Sequence, residues 1–163
     1  MTKHTILFVD DEPGVTQALK RSFRNEPYEL HTADSAAEAL EILKHTEVDV
    51  VVSDERMPHM AGSEFLTVVC EEYPRTIRIT LTGQASLEAA IRAINQGQIH
   101  RFFTKPCNVQ ELKVTIRQAL IQKDLAMQTH RLLQQYRRKA AILEELVARI
   151  PGISEMTDED SFE

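Results

Sequence analysis

The chain has 163 residues, of which 42% are hydrophobic and 27% are charged, and its formal net charge is -6. These proportions are ordinary for a globular protein and allow one domain with an appendage. The acidic balance argues against an unaided nucleic-acid surface, and no apolar stretch is long enough to span a bilayer. The N-terminus turns acidic too early for a signal peptide, and Cys70 and Cys107 lack metal-ligand spacing. We therefore expect a cytoplasmic protein with reduced thiols.

Strand and helix patterns alternate along the chain. Apolar and β-branched runs predict five strands, and segments with apolar residues at helical spacing follow them. Pro13 suits the first turn of the first helix, and Ser35 with Glu38 forms a capping-box pattern at the start of the second. The strands are predicted at residues 6–9, 28–33, 48–52, 77–81 and 101–104, and the fourth helix from Ser86 to near Gly97. This alternation predicts a parallel sheet with helices on both faces.

Polar residues follow the ends of four of these strands. Asp10 and Asp11 come after the first, Asp54 after the third, Thr82 after the fourth and Lys105 after the fifth. Ligands bind at this carboxyl edge in open α/β sheets. Clustered carboxylates repel each other unless a cation joins them, and an all-oxygen donor set favours a hard cation such as Mg²⁺. Taken singly, either aspartate of the pair is more simply a helix cap. The threonine alone is a turn residue, and the lysine alone is surface charge.

In this order, these residues resemble the receiver domain of bacterial two-component response regulators. The resemblance rests on Asp10-Asp11, Asp54 with Met57-Pro58, Thr82-Gly83, Phe102 and Lys105-Pro106, and it covers roughly residues 4–121. It implies an α/β fold of the flavodoxin-like (βα)5 type, a doubly wound parallel sheet in the order 2-1-3-4-5 with right-handed crossovers. It also implies a cis peptide bond before Pro106.

The resemblance implies a role for each acid. Asp54 would be the nucleophile that accepts a phosphoryl group from a phosphohistidine on a sensor histidine kinase or phosphotransfer protein. Asp11, Asp54 and the backbone carbonyl of Arg56 would bind Mg²⁺ directly, and Asp10 would help largely through water.

The resemblance further implies how charge is neutralised and how the domain switches. Lys105 and the Thr82 hydroxyl would contact oxygens of the transferred group. Thr82 would then move toward the phosphoryl group, and Phe102 would turn inward into the space that it leaves. The plainer interpretation of Phe102 is an ordinary core residue.

The C-terminal third of the chain predicts one long helix. No helix breaker occurs between Asn108 and Pro151, so the helix is expected from about residue 109 to 149. Its heptad pattern has one line at Leu112, Ala119, Ala126, Leu133, Ala140 and Val147, and a companion line at Thr115, Gln122, Thr129, Tyr136, Leu143 and Ile150. This pattern favours a coiled coil that joins two copies through residues 122–150. The alternative is an amphipathic helix that packs back on its own domain.

We therefore predict a receiver domain at 1–121, a coiled-coil extension at 122–150 continuous with the last receiver helix, and an acidic, disordered tail at 151–163. The predicted function is a phosphoacceptor that is not itself an enzyme, and that signals through its helix without direct contact to nucleic acid or membrane. One alternative is a fragment of a larger regulator with an enzymatic output, such as a cyclic-di-nucleotide phosphodiesterase or a phosphatase. Another is a small flavodoxin-like enzyme such as an aspartyl phosphatase, which would need catalytic acids beyond Asp54.

Overall fold

The computed structural model describes residues 3–83, 87–96 and 98–152. Strands and helices alternate in the order β1 (His4–Val9), α1 (Pro13–Ser22), β2 (Tyr28–Ala33), α2 (Ala36–His45), β3 (Val50–Asp54), α3 (Gly62–Glu72), β4 (Ile77–Thr82), α4 (Leu87–Asn95), β5 (Arg101–Thr104) and α5 (Val109–Ala148). The predicted ends of the fourth helix at Ser86 and Gly97, and residues 153–163 of the predicted tail, lie outside the described residues.

The five strands form one parallel sheet in the order β2-β1-β3-β4-β5. This confirms the flavodoxin-like order predicted from the resemblance. The central strands β1 and β3 are buried along almost their whole length, as the unbroken apolar runs of their sequences require.

Side chains of the central strands alternate between two cores. Ile6 and Phe8 face the core that contains Leu19 of α1, together with Leu112, Ile116 and Leu120 of α5. Leu7 and Val9 face the other core, which α2, α3 and α4 cover with a set of buried residues: Ala39, Leu43, Phe65, Leu66, Val69 and Ala93. Helices therefore lie on both faces of the sheet, as predicted.

Local signals set several helix starts. Pro13 is the first residue of α1. The Ser35 hydroxyl accepts a hydrogen bond from the Glu38 amide at 3.1 Å, and the Glu38 carboxylate accepts one from the Asp34 amide at 3.0 Å. Asn108 caps α5, because its side-chain oxygen accepts from the amides of residues 110 and 111. The predicted cap at Ser35 is thus confirmed, and Asn108 supplies the corresponding cap at the start of α5.

The chain divides into two compact units, Met1–Leu120 and Ile121–Glu163. The first unit contains the sheet and the buried start of α5. The second contains the rest of α5, and most of its large apolar side chains are exposed, among them Leu125, Leu132, Leu133, Tyr136, Leu143 and Leu146. In the part of the chain that the structure describes, no helix is both long and apolar enough to cross a membrane.

Candidate functional site

The strand register brings four strand ends to one edge of the sheet. Val9 pairs with Ser53, Asp54 pairs with Leu81, and Thr82 pairs with Thr104. The residues that follow β1 and β5 therefore lie beside the last residues of β3 and β4. Because β1 and β3 are neighbours at the centre of the sheet, their terminal acids are held close together.

Three carboxylates converge at this edge. One oxygen from each of Asp10, Asp11 and Asp54 lies within 4.8 Å of the others. Asp10 and Asp54 are buried, whereas Asp11 is exposed. The Glu12 amide donates to the Asp10 carboxylate at 2.9 Å and fixes its orientation. The sequence-based prediction that these three acids meet agrees with this geometry.

Lys105 places a cation against the two buried acids. Its Nζ lies 2.9 Å from Asp54 Oδ1 and 3.5 Å from Asp10 Oδ2. Partial burial acts to lower the pKa of Lys105, but the hydrogen bond and charge of Asp54, with those of Asp10, outweigh it, so the pKa is raised. The ammonium therefore stays charged. The peptide bond from Lys105 to Pro106 is cis, as predicted.

Asp10 experiences opposing effects. Burial is the largest and raises its pKa above the ordinary value of 3.8, and the neighbouring charge of Asp54 raises it further. The Glu12 amide and Lys105 act in the other direction without cancelling the increase. The single positive charge of Lys105 thus neutralises the negative charge of three carboxylates only in part. All the side-chain atoms available to bind a metal ion are carboxylate oxygens. Both properties fit a hard divalent cation. Asp10, Asp11 and Asp54 are the side chains that could hold it.

The remaining predicted residues are Thr82, Phe102 and Arg56. Thr82 is fully buried, and its hydroxyl donates to the Gly83 carbonyl at 3.1 Å. Phe102 is partly buried and packs against the core under α2, α3 and α4. Arg56 is exposed and lines a shallow cleft that also contains Asp11.

Sequence reasoning missed Gly62, the first residue of α3. A Cβ at this position would overlap the backbone carbonyl oxygen of Asp54. The Gly62 amide donates to the Glu55 carbonyl at 2.9 Å, and the Ser63 hydroxyl donates to the Glu55 carboxylate at the same distance. The first turn of α3 is therefore pressed against the end of β3. A lone glycine after a loop carries no signal of such a contact, because it is equally typical of an ordinary turn.

The family profile that matches the sequence is the response regulator receiver domain, over residues 6–117. The chain belongs to this family. Among curated relatives of this receiver protein, the hydrogenase transcriptional regulatory protein HoxA of Cupriavidus necator is 35% identical over 139 residues, which are 85% of this chain and 29% of HoxA. The chain thus spans less than a third of that relative.

Solved structures of similar proteins share the fold. The signal receiver domain of an HD domain-containing protein from Pseudomonas fluorescens Pf-5 is 39% identical with a TM-score of 0.71, covering 76% of this receiver chain and 98% of that one. The structure of an adenylate cyclase from Rhodopirellula baltica is 34% identical with a TM-score of 0.76, covering 82% and 98% respectively. The flavodoxin-like sheet and the regulatory phosphoacceptor class follow from this membership.

Proposed function

We propose that Asp54 is the phosphoacceptor of this receiver. A carboxylate oxygen of Asp54 attacks the phosphorus of a phosphohistidine, the bond between phosphorus and the imidazole nitrogen breaks, and an acyl phosphate forms while the imidazole leaves. The donor is a sensor histidine kinase or a phosphotransfer protein. The convergence of Asp10, Asp11, Asp54 and Lys105 at one sheet edge is the observation that carries this proposal.

The residues around Asp54 supply positioning and charge, which is most of what phosphoryl transfer requires. Asp10, Asp11 and Asp54, with the backbone carbonyl of Arg56, would hold Mg²⁺, which when bound would neutralise charge on the transferred oxygens. The Lys105 ammonium, already 2.9 Å from Asp54, lies within reach of a second oxygen of the transferred group.

The switch that we propose starts at Thr82. Its hydroxyl now donates to the carbonyl of the next residue and would rotate to donate to a phosphoryl oxygen instead. Phe102 would then turn further into the core that it already contacts. We propose that the response is transmitted from a receiver at residues 1–121 to a coiled-coil extension at 122–150, through which two copies associate. A cytoplasmic location, and the absence of direct nucleic-acid contact, remain predictions.

A second candidate is a larger regulator in which the extension leads to an output domain. The match to HoxA covers so much of this chain that it must continue past residue 120, into the second unit. HoxA is a transcriptional regulatory protein, and one structural relative is the signal receiver domain of an HD domain-containing protein. The length of the reading frame that encodes this chain would decide between the two candidates.

The phosphoacceptor assignment is tested by intact-mass measurement after incubation with Mg²⁺ and acetyl phosphate. We expect the wild-type chain to gain one phosphoryl group and Asp54→Asn to gain none, because an amide is not a comparable nucleophile. Asp34→Asn is the matched control, since Asp34 is an exposed acid that follows β2 outside the cluster. Labelling of Asp54→Asn at the wild-type level would contradict the assignment.

A further inference from the structure

The second unit carries a largely exposed apolar stripe that runs along α5 and ends just beyond it. We use the name seam for its heptad residues Leu133, Tyr136, Ala140, Leu143, Val147 and Ile150. Tyr136 is 71% exposed, Leu143 62% and Leu133 50%. Side chains of this size in a regular heptad indicate a surface that a second helix covers. Its composition also contains information about the direction of that second helix.

A parallel pair of identical helices would stack each seam residue on its own copy. Ala140 would face Ala140, and Tyr136 would face Tyr136. One layer would then be under-filled and another crowded, whereas protein interiors are packed to a nearly uniform density. In a parallel pair, the side-chain volumes of successive layers of this segment would therefore be uneven.

An antiparallel pair evens out the layers. With the two-fold axis between residues 141 and 142, Ala140 faces Leu143 of the second copy, and Tyr136 faces Val147 of the second copy. Each small residue then meets a larger one, so that facing side chains interdigitate. The outermost layer pairs Leu133 with Ile150, which lies just beyond Ala148 in a turn closed by hydrogen bonds from the amides of Arg149 and Ile150.

Charges beside the seam agree with the antiparallel alignment. Arg137 and Glu144 occupy equivalent heptad positions on the same flank, one heptad apart. Antiparallel pairing about the same axis places Arg137 of each copy beside Glu144 of the other. Neither side chain forms an ion pair with another described residue, whereas the adjacent Glu145 is bonded to Arg149 at 2.8 Å within its own helix.

We propose that residues 133–150 pair with the same residues of a second copy of this chain in antiparallel orientation. This proposal rests on the proposed function, in which two copies associate through residues 122–150. It adds the direction of the two helices, their register and the residues that face each other. A second copy is the occupant because the seam is complementary to itself in both volume and charge.

Disulfide cross-linking of the full chain tests the orientation. Tyr136→Cys and Val147→Cys are made separately, one carrying a mass tag, and each is oxidised alone and in mixture. Antiparallel pairing juxtaposes residue 136 with 147 of the second copy, and separates the two copies of residue 136 by about 16 Å along the axis, too far for a disulfide. We expect the mixture to give a cross-linked heterodimer and each variant alone only the background of the wild-type chain, which contains Cys70 and Cys107.

Each other cross-linking result overturns the proposal. Cross-linking of each variant with itself means parallel pairing. A chain that sediments as a dimer but cross-links in neither way uses a different surface. A chain that is monomeric at every concentration contradicts the proposed association of two copies as well. Labelling of Asp54 tests the phosphoacceptor assignment independently of this result. Arg138→Cys is the control, because this residue points away from the seam in the heptad.

Charge reversal gives a second test that leaves the seam side chains intact. Arg137→Glu alone and Glu144→Arg alone each create two like-charge pairs, and we expect each to weaken dimerisation about tenfold in sedimentation equilibrium. The double variant Arg137→Glu/Glu144→Arg should restore the wild-type dissociation constant to within about threefold. Arg138→Glu changes the net charge equally but should not be rescued by Glu144→Arg. Failure of the double variant to recover would contradict the antiparallel register.

Discussion

At the scale of single residues, the site holds more negative than positive charge, and most of it is buried. Asp10 and Asp54 are both removed from solvent beside one lysine, and Asp11 adds a third carboxylate within 4.8 Å. Burial and the charge of Asp54 raise the pKa of Asp10 although an amide and Lys105 stabilise its ionised form. Before a cation binds, the folded chain therefore holds Asp10 in a carboxylate form that costs stability.

The sign of this effect gives a prediction for Asp10→Asn. Because its pKa is higher in the folded chain than in the unfolded one, the folded chain binds more protons, and its stability falls as pH rises from the ordinary pKa of 3.8 through the raised value. At neutral pH without Mg²⁺, the amide avoids this cost. We expect the melting temperature of Asp10→Asn to rise by roughly 2–4 °C, the shift that about 1 kcal/mol produces in a chain of this size.

Differential scanning fluorimetry with EDTA and with Mg²⁺ measures both parts of the prediction. Mg²⁺ should stabilise the wild-type chain and should stabilise Asp10→Asn less, because one oxygen donor of the site has lost its charge. In the wild type, the Mg²⁺ effect should fade on acidification at a higher pH than an ordinary aspartate would give. Asp34→Asn should leave both melting temperatures unchanged. A lower melting temperature for metal-free Asp10→Asn would contradict the sign.

At the scale of secondary-structure elements, the contact between β3 and α3 constrains the nucleophile. Gly62 begins α3 directly against the Asp54 carbonyl, where a Cβ does not fit. The backbone that carries Asp54 is thus fixed from two sides, by neighbouring strands and by the first turn of a helix.

Two glycine substitutions should have opposite signs. Gly62→Ala forces the end of β3 and the start of α3 apart, and we expect a loss of about 1–3 kcal/mol, the range for overpacking in a tight site. Gly14→Ala, in the first turn of α1, meets no atom within 4 Å and should gain up to about 1 kcal/mol, because alanine loses less backbone entropy. Urea denaturation measures both. Equal effects of the two substitutions would mean that the contact at Asp54 is not restrictive.

Much of this architecture is predictable from sequence because the spacing of apolar residues differs between strands and helices. The apolar runs before Asp10 and Asp54 predict buried strands, and the order of the polar residues that follow them predicts the site. The missed features are contacts between elements. The Gly62 contact with Asp54, and the hydrogen bond from Ser63 to Glu55, depend on how a loop folds back, which no periodicity encodes. The pKa of Asp10 likewise depends on burial that only packing determines.

At the scale of the whole molecule, α5 contributes to both units. Leu112, Ile116 and Leu120 complete one core of the sheet, whereas the large side chains of the seam, apart from the partly buried Val147, are exposed. The buried part of α5 should therefore matter for folding, and the later part for association.

Truncation separates these two contributions. A chain ending at residue 120 keeps all three core leucine and isoleucine side chains, so we expect it to melt cooperatively and to sediment as a monomer. A chain ending at residue 111 loses them, and since each large core side chain is worth about 2–5 kcal/mol against a total stability of about 5–15 kcal/mol, it should not fold. Dimerisation of the 120-residue chain as strong as that of the full chain would place the interface elsewhere.

Sedimentation of the full chain with Mg²⁺ and beryllofluoride, a phosphoryl mimic, completes the same experiment. We expect the mimic to change the dimer fraction of the wild-type chain and to leave that of Asp54→Ala unchanged. A dimer fraction that the mimic leaves unchanged would mean that the coiled coil forms whether or not Asp54 is phosphorylated.

The exposure of Tyr136 gives the chain an optical label. The sequence contains no tryptophan and three tyrosines, so tyrosine dominates its ultraviolet emission. Tyr28 is buried and Tyr73 partly buried in the first unit, whereas Tyr136 is 71% exposed in the second. A soluble quencher such as iodide therefore acts chiefly on Tyr136. Quenching curves recorded at increasing protein concentration would therefore report association without an added dye, because a second helix that covers Tyr136 would protect it from the quencher.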